Sequence, residues 1–281
     1  MSRLQSKLHK AIEKSRKSAD RSPGDSSGSV AESIQSGMDS IASSIVRMLH
    51  VAKPRDDVME ESRIIAAIDD QAVRSSYNVL RTRILQRLRS NDWHSILVTS
   101  AGPSEGKTLT AANLAMSIAR DVNQSAVLVD LDLMRSSIAR YLGINTEIEA
   151  GIGDFLAGDA ELSDILYSPE GMERLALIPN REPVDNSSDL LGSPRMKELV
   201  TWLGGQPGKT VVIYDMPPVH AHDDVLAFCP NVDAILLVVA QGQTDRAALE
   251  QAMDLLSDYE MLGVVMNMSD ERSAEGGYGY Y

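Results

Sequence analysis

Short apolar runs alternate with longer stretches of helical periodicity from residue 95 onward. Six of the runs have the length of a strand and are apolar at consecutive positions, as expected of strands that are buried on both faces. They are residues 95–99, 126–130, 175–179, 210–215, 234–239 and 262–267. Between them, residues 107–122 and 245–259 combine helical spacing with good helix formers. The pattern predicts an α/β domain with a mostly parallel β-sheet flanked by helices and a ligand site at the carboxyl ends of the strands.

The stretch SAGPSEGKT, residues 100–108, follows the first of these runs and precedes a helical stretch. It ends in Gly106, Lys107 and Thr108, the last three positions of the loop G-x-x-x-x-G-K-[S/T], while Ala101 stands in place of the first glycine. A turn of small residues before a helix exposes backbone N–H groups to phosphates, and a lysine adds a positive charge. We therefore predict a nucleotide-binding loop made of Gly102, Pro103, Ser104, Glu105, Gly106, Lys107, Thr108 and Leu109. The alternative interpretation is an ordinary polar loop.

Aspartates lie at the ends of two of the predicted strands. Asp130 and Asp132 lie in VLVDLDL, and Asp215 lies in VVIYDMPP. A magnesium nucleotide needs oxygen ligands, directly or through water, and a phosphoryl acceptor needs a base. An aspartate at a strand end is also a common helix cap, so each one alone is weak evidence. Together with the loop, the three predict a magnesium-dependent phosphoryl-transfer site.

The N-terminal part of the chain differs from the rest in charge. Residues 1–21 contain seven basic and two acidic residues, a net charge of +5 in a chain of net charge −13. Leu4, Leu8 and Ile12 form a helical stripe that suits an anionic membrane surface or an acidic partner, although a solvated tail has the same pattern. A Ser/Gly/Pro-rich linker follows, and then an amphipathic helical pattern from Ile34 to Met48. We expect this N-terminal extension to be largely disordered or helical.

The predicted organisation has three parts. Residues 1–60 form the basic arm, linker and amphipathic helix, residues 61–268 form the α/β domain, and residues 269–281 form a flexible Gly/Tyr tail. Three of the eight tyrosines, Tyr278, Tyr280 and Tyr281, lie in the last four residues. A glycine-rich end offers no fixed backbone for packing rings, so we interpret these tyrosines as accessible substrates. A chance cluster and a docking tag are the alternatives.

Composition excludes several classes of function. The single cysteine, Cys229, excludes an intramolecular disulfide and a cysteine-built zinc site. No apolar run approaches the length of about 18 residues that spans a bilayer, so we expect a soluble, cytoplasmic chain. The folded part of the chain is acidic and would repel a phosphate backbone, so we expect no binding to nucleic acid. The pair His220 and His222 is interpreted as ordinary loop histidines, with contact to a metal or a nucleotide as the alternative.

Over about residues 70–281, these motifs resemble the bacterial tyrosine kinases of capsule and exopolysaccharide biosynthesis, which have a P-loop fold related to Min/Par ATPases. The resemblance implies ATP and Mg²⁺ as cofactors, with Lys107, Asp130 and Asp132 in catalysis. It also implies magnesium binding by Thr108, Asp130 and Asp215. Asn267 resembles the family position near the adenine, and GGYGYY resembles the tail that these kinases phosphorylate on neighbouring molecules. The expected partner is a membrane polysaccharide co-polymerase that activates the kinase. Attachment to the inner membrane is expected through this partner or through the basic arm.

Some positions differ from the family pattern. Met134 stands where an arginine is common, and Arg135 follows it. In the family's ring-forming motif, Glu-x-x-Arg-x-x-Arg, Ser75 and Asn78 replace the first two charged residues and Arg81 alone persists, which predicts weak self-association.

Three functions therefore stay open: a protein-tyrosine autokinase, a Min/Par-type positioning ATPase and a catalytically weak nucleotide-binding regulator. Min/Par ATPases carry an additional lysine in the loop, and Gly102 occupies that position here.

Overall fold

A computed structural model describes residues 49–185, 187–206, 209–221 and 223–269. In these ranges the chain forms an eight-stranded sheet with the order β1-β4-β5-β3-β6-β2-β7-β8. The strands are β1 His50–Ala52, β2 Ser95–Ser100, β3 Ser125–Asp130, β4 Tyr167–Pro169, β5 Leu175–Ile178, β6 Thr210–Asp215, β7 Ala234–Ala240 and β8 Met261–Asn267. Neighbouring strands are parallel except β4 and β5, which are antiparallel.

Helices cover both faces of the sheet. They are α1 Asp56–Glu61, α2 Gln71–Asn91, α3 Lys107–Ala119, α4 Ile138–Leu142, α5 Ile152–Ala157, α6 Ser187–Leu191, α7 Pro194–Gly204, α8 Asp224–Phe228 and α9 Arg246–Leu255, with short 3₁₀ helices at Leu162–Ile165 and Cys229–Asn231. One hydrophobic cluster packs α2 and α3 against the sheet, and a second packs α5, α7 and α8 against the opposite face. Within the described residues no helix is both long and apolar enough to cross a membrane.

The predicted fold class is confirmed. All six predicted strands are present, and each begins at the predicted residue or one residue before it. The two predicted helices are also present as α3 and α9, although both end several residues early. The prediction omitted β1 and β4, because each has only three residues and its place in the sheet depends on a distant partner strand.

The packed core extends N-terminal to residue 61, where the sequence pattern placed the start of the domain. Ala52 of β1 is fully buried, and β1 pairs with β4. Met59 of α1 is 4% exposed and belongs to the same hydrophobic cluster as α3. The predicted basic arm and linker and the amphipathic pattern from Ile34 to Met48 lie outside the described residues, as do the three tail tyrosines and His222.

Helix α2 carries the residues that align with the family's ring motif. Its N-terminus is capped by Asp70, whose carboxylate accepts hydrogen bonds from the backbone N–H groups of Ala72 at 2.9 Å and Val73 at 3.1 Å. Ser75 and Asn78 are exposed on this helix. Arg81 donates a hydrogen bond of 2.8 Å to the carbonyl oxygen of Ser117 in α3. Arg81, the one arginine of the motif that this chain retains, therefore links α2 to α3 within its own domain.

Candidate nucleotide-binding and phosphoryl-transfer site

The predicted phosphate loop lies at the carboxyl end of β2, between β6 and β7 in the sheet. Residues 101–106 connect β2 to the N-terminus of α3. Ser104 and Gly106 both have left-handed backbone conformations, with φ values of 61° and 87°. The positive φ of Gly106 favours glycine, and a Cβ atom there would stand 2.0 Å from Nδ2 of Asn267. The loop therefore turns sharply and directs the N-terminus of α3, a favourable anion site, at the same edge of the sheet as the aspartates.

Lys107 lies at the centre of a cluster of carboxylates. Its Nζ atom is 2.6 Å from Oδ2 of Asp132 and 3.8 Å from Oδ1 of Asp215. It also donates a hydrogen bond of 3.2 Å to Oγ1 of Thr108. Burial alone would lower the pKa of Lys107, but the negative charges of Asp215, Asp132 and Asp130 raise it. The side chain is therefore a fixed positive charge at neutral pH.

Asp130 and Asp215 are paired across β3 and β6 and are both fully buried. Oδ2 of Asp130 accepts 3.1 Å hydrogen bonds from the backbone N–H groups of Ser137 and Ile138 at the start of α4. Oδ1 of Asp130 and both carboxylate oxygens of Asp215 have no hydrogen-bond partner among the described residues. Burial and the neighbouring Asp215 charge raise the pKa of Asp130. Burial also raises the pKa of Asp215, against the attraction of Lys107.

These oxygens, which accept no hydrogen bond from the described residues, suit a magnesium ion. Buried polar groups normally have partners, so exceptions call for a ligand or another explanation. Magnesium prefers oxygen ligands and usually binds through one or two carboxylates together with waters and nucleotide phosphates. In the described part of the chain, no three His, Cys, Asp or Glu side chains form a metal cluster by themselves. Asp130, Asp215 and the Thr108 hydroxyl therefore fit a magnesium ion that is held jointly with a nucleotide.

A cavity of about 490 Å³ adjoins the phosphate loop on the Asp132 side. Most of its walls are apolar, and Asp132 contributes a carboxylate beside the loop. Its lining residues are Ala101, Gly102, Pro103, Asp132, Met134, Arg135, Pro217, Pro218, His220, Ala221, Asp224 and Ala248. Met134 and Arg135, which differ from the family pattern, both lie in this wall. Nε2 of His220 shares a 3.0 Å hydrogen bond with the carbonyl oxygen of Ala248, as expected of a structural loop histidine.

The loop between β7 and α9 contacts the phosphate loop, which the sequence analysis did not predict. The Thr244 hydroxyl donates a hydrogen bond of 2.6 Å to Oε1 of Glu105, and Gln243 Nε2 donates one of 3.1 Å to the Pro103 carbonyl oxygen. Asn267, expected near the adenine, donates from Nδ2 to the Glu105 carbonyl oxygen at 3.0 Å. The available sequence signal was the polar segment QGQTD directly after the 234–239 run, because it too follows the carboxyl end of a strand.

A strand, a glycine-containing loop and a helix at the middle of a parallel sheet, with aspartates at the neighbouring strand ends, define a P-loop protein. No family model matches the chain. Tyrosine-protein kinase CpsD of Streptococcus pneumoniae is 31% identical over 196 residues, which cover 69% of this chain and 83% of that protein. The chain therefore belongs to the family of bacterial tyrosine kinases, as its motifs indicated.

Other relatives agree with this assignment. Tyrosine-protein kinase YwqD of Bacillus subtilis is 28% identical over 233 residues, or 79% of this chain and 92% of that protein. Tyrosine-protein kinase wzc of Salmonella typhimurium is 29% identical over 215 residues, which cover 75% of this chain but 28% of that longer protein. Tyrosine-protein kinases are thus relatives of this chain over about 70 to 80% of its length.

Solved structures show the same relationship. The kinase domain of Escherichia coli tyrosine kinase ETK superposes with a TM-score of 0.63 at 27% identity, covering 74% of this chain and 80% of that one. The septum site-determining protein MinD of Pyrococcus horikoshii, complexed with Mg-ADP, has a TM-score of 0.52 at 21% identity, covering 64% and 72%. The second similarity is one of fold alone.

Proposed function

We propose that this protein is an ATP-dependent protein-tyrosine kinase that phosphorylates Tyr278, Tyr280 and Tyr281 on neighbouring copies of itself. One observation carries the proposal: the Lys107–Asp132 ion pair of 2.6 Å lies where the phosphate loop meets the apolar cavity. The pair supports the proposal because it brings a positive charge and a carboxylate together at one junction. Phosphoryl transfer to a phenol requires both groups.

The donor side of the site consists of the phosphate loop and its helix. Backbone N–H groups of residues 102 and 104–109 bind the phosphates of ATP, and Lys107 contributes the charge that stabilises the transferring group. Asp130, Asp215 and the Thr108 hydroxyl hold Mg²⁺, which neutralises phosphate charge when bound. The oxygens of Asp130 and Asp215 that accept no hydrogen bond within the described part of the chain support this assignment.

The acceptor side consists of Asp132 and the cavity beside it. Met134, Pro217 and Pro218 provide apolar walls that suit a phenol ring. The phenolic oxygen attacks the γ-phosphorus, the bond to the β–γ bridging oxygen breaks, and ADP leaves. The phenolic proton passes to Asp132, because a phenol with a pKa near 10 needs a base at neutral pH.

Asp132 acquires this role by an exchange of partners. Its carboxylate is 8% exposed and is occupied by the ion pair with Lys107. The β- and γ-phosphates of ATP offer Lys107 a stronger partner, since they carry more negative charge than one carboxylate. When Lys107 binds the phosphates, the Asp132 carboxylate is released towards the cavity. In this scheme nucleotide binding and activation of the base are coupled through one lysine.

The C-terminal tail comes shortly after β8 in the chain, and the last residue of β8 contacts the phosphate loop. β8 ends at Asn267, whose side chain is hydrogen-bonded to Glu105. An extended chain spans about 3.3 to 3.6 Å per residue, so the roughly ten residues from Ser269 to Tyr278 reach some 35 Å. Reach alone therefore allows transfer within one molecule as well as between molecules. The family resemblance supports transfer between molecules.

The proposed role is regulation of capsule or exopolysaccharide polymerisation or export. The activating partner is a membrane polysaccharide co-polymerase, and the protein is cytoplasmic and peripheral at the inner membrane through that partner or through its basic arm. The exposed Ser75 and Asn78, which lack the charges of the ring motif, support dependence on an activator.

Incubation with labelled ATP, followed by mapping of phosphotyrosine by mass spectrometry, tests the proposal. Phosphotyrosine in residues 278–281 is the expected result. Phosphate release without labelled tyrosine would instead identify a Min/Par-type ATPase, and nucleotide binding without turnover would identify a regulator. Lys107→Met is the negative control, and Lys197→Met, at an exposed position of α7, is the matched control for loss of a lysine.

A further inference from the structure

The hydroxyl of Thr244 has both of its hydrogen-bonding roles occupied. The backbone N–H of Ala240 donates to Oγ1 at 2.8 Å, and Oγ1 donates to Oε1 of Glu105 at 2.6 Å. The backbone N–H of Thr244 also donates to the Ala240 carbonyl oxygen at 3.0 Å. Because a hydroxyl has one proton, the N–H donor leaves that proton for Glu105. Thr244 therefore connects the end of β7 rigidly to the phosphate loop.

Glu105 is held within the loop from two sides. Its side chain is bound by Thr244, and its backbone carbonyl accepts the bond from Asn267 at the end of β8. The two strand ends are themselves linked, since the backbone N–H of Gln241 donates to the Asn267 carbonyl oxygen at 2.9 Å. Glu105 is therefore fixed to the rim of the sheet by both neighbouring strands.

The hydrogen bond from Thr244 matters for the position of Glu105, because the Glu105 side chain is buried. The residue is 3% exposed, and Oε2 has no hydrogen-bond partner among the described residues. Oε1 lies against Gly102, 3.2 Å from where a Cβ atom at that residue would stand. Without the hydroxyl, this buried carboxylate would lose the one side-chain bond that the structure shows for it, and such groups move rather than stay unpaired. Movement would shift Gly102 at one end of the loop and Gly106 at the other.

We propose that Thr244 is a positioning residue for the nucleotide, acting through Glu105 to hold the loop in its phosphate-binding curvature. Thr244 does not touch the phosphates in this scheme. The inference rests on the proposed ATP site, but it concerns a residue of the β7–α9 loop to which the sequence motifs assign no role. Loss of its hydroxyl disturbs the cradle that binds ATP, while Lys107 and Asp132 remain in place. The effect is therefore expected in ATP affinity more than in the turnover of bound ATP.

The test compares Thr244→Val, which has the same shape without the hydroxyl, with Thr244→Ser, which retains it. We expect Thr244→Val to raise the Kd and KM for Mg-ATP about tenfold, the scale of one hydrogen bond to a charged group, while kcat changes less than threefold. Thr244→Ser should bind within about twofold of the parent. Thr201→Val, an exposed helix threonine whose hydroxyl bonds only its own backbone turn, is the matched control.

A double substitution tests the route through Glu105. If Thr244 acts through that residue, Glu105→Ala and the Glu105→Ala/Thr244→Val pair should have the same Kd, because the second change then removes nothing further. Additive losses, unchanged affinity in Thr244→Val, or equal losses in Thr244→Ser would each overturn the inference. If Thr244→Val does not fold, Thr244→Ala against Thr244→Ser makes the same comparison. Kd is measured without phosphotransfer, so a chain that binds ATP but labels no tyrosine contradicts the proposed function and leaves this inference intact.

Discussion

Lys107 and Asp132 form an ion pair of 2.6 Å that joins the first residue of α3 to the segment after β3. The pair connects the two halves of the proposed reaction, since one member binds phosphate and the other accepts a proton. In the proposed scheme, Asp132 becomes available as a base when Lys107 binds a different anionic partner.

Removal of the lysine charge is the first prediction. Lys107→Met should lower phosphotransfer by on the order of a thousandfold, because the transferring phosphoryl group loses its main electrostatic contact. The measurement is the rate of phosphotyrosine formation under saturating ATP. We expect the variant to fold, with circular dichroism as the check. A rate equal to that of the Lys197→Met control would show that the loop has been misinterpreted.

Asp132 is the subject of the second prediction. Asp132→Asn should reduce phosphotransfer by about a hundredfold or more, the usual contribution of a positioned base. ATP binding should persist, because Lys107 is then freed from its closest carboxylate. Phosphotyrosine yield and ATP affinity are measured on the same preparation. Asp159→Asn, at an exposed position after α5, is the matched control, and labelling equal to that control would remove Asp132 from the mechanism.

The third prediction concerns stability and pH. Burial and Asp215 raise the pKa of Asp130 in the folded protein, so folding favours its protonated form. Its contribution to the free energy of unfolding is fully present below the unfolded pKa near 3.9 and is lost as pH rises through the folded pKa. Asn retains an acceptor for the Ser137 and Ile138 N–H groups and carries no charge. Asp130→Asn should therefore raise the free energy of unfolding by about 1 to 3 kcal/mol at pH 8 without Mg²⁺, and by less at pH 5.

Urea unfolding at the two pH values measures this difference. The same variant should lose phosphotransfer, because one proposed magnesium ligand is gone, while ATP binding is partly retained. Asp159→Asn again controls for loss of an exposed carboxylate. A variant no more stable than the parent at pH 8 would mean that the charge of Asp130 is not destabilising.

The tail tyrosines give the fourth prediction. Replacement of Tyr278, Tyr280 and Tyr281 by Phe should leave ATP binding unchanged and remove most phosphotyrosine, with Tyr259→Phe as a control outside the tail. Lys107→Met protein with an intact tail should be labelled when mixed with active protein that lacks residues 270–281. No label in the mixture, together with concentration-independent labelling of the parent, would exclude transfer between molecules. Full labelling of the Phe variant would show that the tail is not the substrate.

Assembly is the fifth prediction. Ser75 and Asn78 are exposed and uncharged, and Arg81 is bonded to Ser117 of the same chain. Without charge-assisted contacts of about 1 to 3 kcal/mol each at this helix, the isolated protein should be mainly monomeric at micromolar concentration. Light scattering measures the mass, and a cytoplasmic segment of the membrane partner should accelerate labelling. A stable octamer would show that other contacts build the ring.

Local patterns in the sequence determined the elements of the fold and the residue types of the site. Continuous apolar runs identify strands buried on both faces, since that environment excludes polar residues wherever the strand lies in the sheet. The loop before Lys107 and the aspartates after two runs could be placed at one edge for the same reason, because all parallel strands end there. The family followed from the same short motifs.

Tertiary structure decided which of these groups touch. The pairing of Asp130 with Asp215 depends on the strand order, which places β6 beside β3, and no spacing along the chain encodes it. The bond from Thr244 to Glu105 joins residues 139 positions apart. β1 and β4 are too short to have a hydrophobic pattern of their own. They are strands because they pair with distant segments of the chain, including each other. Local periodicity reports burial, whereas contacts between distant residues depend on how the elements are arranged, and that arrangement is a property of the packed chain.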